Sequence, residues 1–169
     1  MDLKEKIQDI PDWPEKGVVF RDITPLLADQ ESFKYVVDKM AEPYIENRPD
    51  FVLGIDARGF ILASAIAYKL GAGLIIVRKK GKLPRETVRK EYSLEYASNA
   101  IEMHADAIQP GQRILMVDDV LATGGTMAAA IEMVEELGGE IVGVDFLIVL
   151  NFLKGCEKIK YPIKKLIEY

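Results

Sequence analysis

The chain has 169 residues, 49% of them hydrophobic, which is enough for one compact domain with a substantial core. Its formal net charge of −5 gives no general attraction to nucleic acids or anionic membranes, and no apolar run reaches the length of a membrane span. Cys156 and His104 are the only residues of their kinds, which excludes an internal disulfide and a Cys/His zinc site within one chain.

The first half of the chain alternates between predicted helices and strands. Its N-terminal residues lack the apolar segment of a signal peptide, so we expect a cytoplasmic protein. Residues 3–9 are predicted as a short amphipathic helix, and residues 30–47 as a longer one with apolar side chains at helical spacing. Buried strands are predicted at 51–55 and 74–77, with a helix at 60–70 between them.

Residues 79–96 show neither helical nor strand periodicity and stand apart from the rest. Six lysines and arginines against three glutamates give this segment a net charge of +3 on an acidic protein. A long irregular segment inside a compact domain is usually a lid or a binding loop. It is therefore predicted to be a mobile cover for an anionic ligand; the alternative is a solvated surface hairpin that happens to be basic.

The second half contains the most informative stretch, which begins with a predicted buried strand at 114–117. Asp118 and Asp119 follow at its carboxyl end, where open α/β sheets place their ligands. A helix at 126–137 and a strand at 141–148 come next. Strands alternating with helices predict right-handed crossovers and a mainly parallel sheet covered on both faces.

Residues 122–126, Ala-Thr-Gly-Gly-Thr, link the acidic pair to the following helix. A small turn rich in glycine and threonine offers backbone N–H groups, hydroxyls and a helix dipole to a phosphate. A phosphate site beside two carboxylates matches the outline of a ribose 5-phosphate. The stretch is neither a P-loop nor a Gly-x-Gly-x-x-Gly fingerprint, and the alternative is an ordinary strand-to-helix connection with a polar cap.

Two further segments contain residues that could bind a ligand. Arg58 lies in Asp-Ala-Arg-Gly after the strand 51–55, where its guanidinium could hold diphosphate through two hydrogen bonds. The alternative is that Arg58 pairs with an acidic neighbour. Phe20, in a segment too polar for the core, could stack on a flat heterocycle, and the alternative is that Phe20 is ordinary core.

These motifs resemble those of the type I phosphoribosyltransferases, in particular the members that use adenine. The matching segments are 14–27, 54–60, 78–84, 92–96 and 114–126. The resemblance implies one α/β domain over residues 1–169, with a mainly parallel sheet flanked by helices. It also implies a small N-terminal hood within 1–30 and a flexible flap at 79–96. The equivalent of the Arg58 loop often contains a cis peptide in this family, and that bond would fall between Asp56 and Ala57.

The resemblance assigns roles to individual residues. Those around adenine would be Val19, Phe20, Arg21 and, on the other face of the ring, Leu150. Those at diphosphate would be Arg58, Lys79 and Lys82, with Glu95 and Tyr96 on the flap near the reacting centre. Those at the 5-phosphate would be Ala122, Thr123, Gly124, Gly125 and Thr126. The catalytic candidates are thus Arg58, Glu95, Asp118 and Asp119.

The implied reaction converts adenine and 5-phospho-α-D-ribose 1-diphosphate (PRPP) to AMP and diphosphate. The implied cofactor is Mg²⁺, held mainly by substrate and water rather than by protein side chains. A homodimer is implied, with no nucleic-acid or membrane partner. Two alternatives stay open: a phosphoribosyltransferase for hypoxanthine, guanine, xanthine or orotate, and a non-enzymatic regulator. A regulator would need a nucleic-acid-binding element, which this acidic sequence does not show.

Overall fold

Strands alternate with α-helices in two parts of the chain, residues 51–79 and 113–149, as the sequence predicts. The structure, a computed structural model, describes residues 1–93 and 98–169. The strands in that part of the chain are β1 Gln8–Pro11, β2 Val19–Asp22, β3 Phe51–Ile55, β4 Gly73–Lys79, β5 Thr87–Ser93, β6 Ser98–His104, β7 Arg113–Leu121, β8 Glu140–Val149 and β9 Ile163–Glu168. The α-helices are α1 Thr24–Ala28, α2 Gln30–Ala41, α3 Gly59–Leu70 and α4 Gly125–Glu136. Short 3-10 helices cover Leu3–Lys6, Glu42–Tyr44, Asn151–Leu153 and Gly155–Lys158.

A seven-stranded sheet in the order β5-β6-β4-β3-β7-β8-β9 forms the centre of the fold. The strands β4, β3, β7, β8 and β9 run parallel, which confirms the predicted α/β class. At one edge β6 pairs antiparallel with both β4 and β5. Separately, β1 and β2 form a small antiparallel pair near the N-terminus.

Apolar side chains cover both faces of the sheet. Successive residues of a strand point to opposite faces, so neighbouring residues of β7 belong to different apolar clusters. Leu115 and Val117 of β7 belong to the apolar cluster that includes residues of α2 and α3. Ile114 and Met116, which alternate with them, belong to the cluster that includes α4. All four side chains are fully buried. The two clusters confirm the prediction that both faces of the sheet are covered.

Two predicted helices are corrected at their ends. Residues 3–9 form one 3-10 turn and then enter β1, because Asp9 pairs with Arg21 across the β1–β2 ladder. A helix this short has little stability of its own, so strand pairing wins. The helix predicted at 30–47 ends at Ala41, and a 3-10 turn containing Pro43 follows.

The prediction that residues 79–96 are irregular throughout is wrong for β5. This strand pairs with β6 and packs on α4, where Lys90 Nζ lies 3.3 Å from Glu132 Oε2 and also pairs with Glu136. Residues 80–86 form the turn before β5, and 94–96 lie outside the described residues. The edge strand β9 has no counterpart among the predicted elements.

Candidate active site

The carboxyl ends of β3 and β7 form the floor of a cavity of about 470 Å³. These two strands are parallel neighbours, with Gly54 opposite Val117. The strand predicted at 114–117 is too short, because β7 stays paired with β8 as far as Leu121 and so contains Asp118 and Asp119. The loop after β3, which contains Arg58, therefore lies beside the last residues of β7, as expected for a ligand site in an α/β sheet. The cavity is lined by Val18, Val19, Phe20, Arg21, Asp56, Ala57, Arg58, Asp118, Asp119, Val120, Ala122, Leu150 and Leu153.

The two adjacent aspartates have different surroundings. The carboxylate of Asp119 is buried, and its Oδ2 lies 2.8 Å from Nε of Arg58. Oδ1 of Asp118 accepts a hydrogen bond from the backbone N–H of Asp119 at 2.9 Å. Asp119 therefore has a cationic partner, and Asp118 presents its carboxyl group to the cavity.

Protein atoms around Asp118 desolvate its carboxyl group, and this raises its pKa well above the ordinary value. The charge of Asp119 raises the pKa of Asp118 further, whereas Arg58 lowers it by a smaller amount. A positive charge placed in the cavity would stabilise the ionised form of Asp118. The site is therefore suited to a ligand or a reaction stage that is cationic near this carboxyl group.

Arg58 also contacts the β2 wall of the cavity. Its guanidinium carbon lies 4.7 Å from the centroid of the Phe20 ring, and its Nη1 lies 3.5 Å from the carbonyl oxygen of Arg21. The Trp13 ring packs edge-on against Phe20 with 4.5 Å between centroids. Phe20 is thus a half-buried cavity wall rather than core. The pairing of Arg58 with an acidic neighbour, raised as an alternative, is present through Asp119.

Residues 122–126 form a turn that leads directly into α4. Its members Ala122, Thr123, Gly124 and Thr126 line a small cavity of about 80 Å³ together with Asp118. Gly124 has φ +84°, a conformation that favours glycine. Because α4 begins at Gly125, its first backbone N–H groups have no partners within the helix and are available to an anion.

The structure adds residues that the sequence analysis missed. A Cβ atom on Gly155 would lie 2.3 Å from the carbonyl oxygen of Ala122, so only glycine allows this backbone to support the turn. A Cβ on Gly59 would lie 2.5 Å from Asp118 Oδ1. Gly59 could have been recognised from the Asp-Ala-Arg-Gly motif. Gly155 is far away in sequence and has no local signal.

Only some of the remaining candidate residues line the cavity. Val19, Phe20, Arg21 and Leu150 line the cavity together with Arg58 and the acidic pair. Lys79 lies instead in a separate cleft of about 290 Å³ beside the first residues of β6, together with Lys80 and Glu91. Lys82 is exposed in the turn before β5 and lines neither. Glu95 and Tyr96 lie outside the described residues. The peptide bond between Asp56 and Ala57 is cis, as the resemblance implies.

No group of three or more His, Cys, Asp or Glu side chains within residues 1–93 and 98–169 could hold a metal ion. The cavity does offer the carboxylate oxygens of Asp118 and Asp119, which are ligands of the hard type that Mg²⁺ prefers. In the same part of the chain, every helix is too short or too polar to cross a membrane.

Comparison with known proteins agrees with this geometry. The phosphoribosyl transferase domain family matches residues 26–167. The adenine phosphoribosyltransferase of Geobacter metallireducens is 57% identical over 158 residues, covering 94% of this chain and 92% of that protein. The crystal structure of the Rhodothermus marinus adenine phosphoribosyltransferase has a TM-score of 0.95 at 46% identity, covering 99% and 96% of the two chains. The Saccharomyces cerevisiae enzyme, complexed with adenine and an imino-altritol bisphosphate, has a TM-score of 0.90 at 36% identity, covering 96% of this chain and 94% of that chain.

Proposed function

This chain belongs to the type I phosphoribosyltransferase family, among the adenine phosphoribosyltransferases, and we propose that the cavity above β3 and β7 is its active site. The enzyme acts in purine salvage and forms AMP and diphosphate from adenine and PRPP. The observation that supports this location is the convergence of Arg58, the acidic pair and the 122–126 turn on one edge of the sheet.

Ribose 5-phosphate binds between the acidic pair and the start of α4. The phosphate lies against residues 122–126, where backbone N–H groups and the hydroxyls of Thr123 and Thr126 can donate to its oxygens. Asp118 and Asp119 accept hydrogen bonds from the ribose hydroxyls. Their adjacency to the turn supports this arrangement, because a single sugar phosphate spans the two.

The purine binds between the β2 wall and Leu150. Phe20 offers a ring face for stacking, and the backbone of Val19 and Arg21 offers one carbonyl and one N–H to the edge of the base. Adenine presents an exocyclic amino donor and an N1 acceptor, which matches that pair. The yeast complex with adenine supports a base site in this fold.

Diphosphate leaves from C1 of the ribose, toward Arg58. The Arg58 side chain is about one third exposed, so its guanidinium can donate to the leaving group while keeping its contact with Asp119. Lys79 and Lys82 approach diphosphate from the flap segment 79–96. Glu95 and Tyr96 act near the reacting centre, with Glu95 in a proton-handling or purine-edge role. The positive charge of Lys79, Lys80 and Lys82 supports the proposed contact between this segment and diphosphate.

Positive charge develops on the ribose as diphosphate departs, and this chain holds negative charge beside it. The Asp118 carboxyl, whose pKa burial raises, gains stability as an anion when that charge appears. Preorganised carboxylates therefore stabilise the transition state more than the ground state. The walls Phe20 and Leu150 exclude water and present N9 of adenine to C1.

Mg²⁺ would be the cofactor, held mainly by substrate and water, and it would supply positive charge to diphosphate; Asp118 and Asp119 are the cavity residues that could accept hydrogen bonds from its water ligands. We further propose a cytoplasmic homodimer that acts on small molecules, not on nucleic acid or membranes. Each subunit consists of one domain over residues 1–169, with the hood in 1–30 and the flap at 79–96. Exposed apolar side chains on and beside α3, including Ile61, Tyr68 and Leu74, support self-association. Sedimentation of the purified protein tests whether it forms a dimer.

A base-competition assay tests the function. Adenine should be converted to AMP with PRPP and Mg²⁺, whereas hypoxanthine, guanine and orotate should give almost no product. A 6-oxo purine would leave buried hood groups unpaired, a mismatch that can exclude an analogue by about 10⁴-fold. Comparable turnover of hypoxanthine or guanine would contradict the base assignment alone. PRPP binding without turnover of any base would contradict the enzyme and favour a regulator.

A further inference from the structure

Tyr169, which follows β9, contacts both walls of the proposed purine slot without lining the slot itself. Its backbone N–H donates to the carbonyl oxygen of Val149 at 3.0 Å, and its carbonyl accepts from the N–H of Asn151 at 2.9 Å. These two hydrogen bonds flank Leu150 on both sides. The position of the Leu150 wall is therefore coupled to Tyr169.

The ring of Tyr169 reaches the opposite wall through Arg21. The guanidinium carbon of Arg21 lies 3.8 Å from the ring centroid, which is a close cation–π contact. The Arg21 side chain is only 14% exposed and also pairs with Asp9 of β1. Its Nε has no hydrogen-bond partner among the described residues. The aromatic face and Asp9 are thus what hold this buried cation.

Fixing the Arg21 side chain also fixes the backbone of β2 at that residue. The side chain packs away from the slot on Tyr169, and the Arg21 carbonyl faces Arg58 on the slot side. Movement of the side chain would rotate the peptide groups proposed to read the purine edge. A change outside the slot would then alter base binding more than ribose or phosphate binding.

We propose that Tyr169 is a positioning residue for the purine: it holds the β2 hood and the Leu150 wall at the spacing that accepts a flat base. The inference rests on the proposed role of the Val19 and Arg21 backbone in base binding. Tyr169 acts through Arg21 and Leu150 and does not touch the substrate.

Steady-state kinetics of three variants test the inference, with each substrate varied while the other is saturating. Tyr169→Ala should raise KM for adenine by roughly tenfold, while KM for PRPP and kcat change by less than about twofold. Tyr169→Phe keeps the stacked ring and should restore KM for adenine. Leu166→Ala removes apolar packing from β9 without touching Arg21, so it should lower Tm with no selective change in KM for adenine.

A double-variant comparison covers the case in which Tyr169→Ala folds poorly. Arg21→Met should raise KM for adenine in the same selective way. Tyr169→Leu removes the aromatic face but keeps apolar volume, and Arg21→Met with Tyr169→Leu should be no worse than Arg21→Met alone, because both changes break the same contact. Equal changes for both substrates in Tyr169→Ala, or a Tyr169→Phe variant as impaired as Tyr169→Ala, would overturn the inference. If the parent protein itself does not use adenine, the proposed base site fails instead.

Discussion

The Nε atom of Arg58, in the loop after β3, lies 2.8 Å from Oδ2 of Asp119, near the carboxyl end of β7. The same guanidinium lies against the Phe20 ring. One side chain therefore joins the carboxylate proposed for ribose to the wall proposed for the base. Diphosphate bound to Arg58 would therefore affect the positions of both Asp119 and Phe20, because one rigid, planar guanidinium group makes all three contacts.

Arg58→Lys should lower kcat/KM for PRPP by roughly 100-fold, mostly through KM. Lysine keeps the charge but loses the planar fork that can contact Asp119 and diphosphate together. Steady-state kinetics with PRPP varied would measure this. Arg113→Lys is the matched control, because Arg113 donates to backbone carbonyls of Asn47 and Arg48 far from the cavity. Equal losses in both variants would contradict a role for Arg58 in the site.

Asp118→Asn should lose most of kcat/KM while its Tm stays equal to or above that of the parent. The pKa of Asp118 is raised in the folded state, so its ionised form costs stability at neutral pH, and the amide removes that cost. Asp119→Asn should lose activity similarly, with at most a small drop in Tm because Arg58 loses its partner. Thermal melting combined with turnover per folded molecule distinguishes the cases. Early unfolding with retained turnover would contradict the assignment.

Asp145 should make stability depend on pH in the acidic range. Burial raises its pKa to about 6, while a hydrogen bond from the Tyr44 hydroxyl at 2.7 Å and the charge of Lys164 lower it less. The folded state then keeps a proton that the unfolded chain has lost. This residue's contribution to stability is therefore greatest below about pH 4, falls as pH rises toward about 6, and stays low above that.

Asp145→Asn keeps a carbonyl acceptor for Tyr44 and removes the buried charge. The variant's free energy of unfolding should exceed that of the parent by about 2 kcal/mol at pH 7, with the difference shrinking toward pH 4.5. Urea unfolding at several pH values measures it. The surface variant Glu157→Gln serves as the control. A difference that is independent of pH would show that Asp145 titrates normally in the folded protein.

Trypsin should cleave the free protein after Lys82 and Arg85, which lie in the turn between β4 and β5. Cleavage after Arg89 and Lys90 should be much slower, because both lie in β5 and pair with Glu102 and with Glu132 and Glu136. PRPP with Mg²⁺ should protect Lys82 if the turn closes over diphosphate, and adenine alone should not. Trypsin does not cleave after glutamine, so the fragment that disappears in Lys82→Gln is the one produced by cleavage after Lys82. Cleavage that is unchanged by PRPP would argue against a flap.

Local patterns were sufficient to predict the alternating framework. The apolar run before Asp118, the glycine-rich turn after it and the helical spacing that follows occur within one continuous segment. Their physical causes are local: strand burial, glycine conformation and free N–H groups at a helix start. The same holds for β3 and the Arg58 turn. The edge strands β5 and β9 were missed because their stability comes from partners, not from their own periodicity.

The sequence by itself determined the fold class, the order of the central elements and the position of the acidic pair near the carboxyl end of a strand, although it placed the end of that strand four residues too early. Only the tertiary structure decided which distant residues meet there: Arg58 with Asp119, Gly155 beneath Ala122, and Tyr169 beside Leu150 and Arg21. Such contacts join segments far apart in the chain. Sheet order and strand register, rather than any local propensity, bring these segments together, so no window of the sequence contains the information alone.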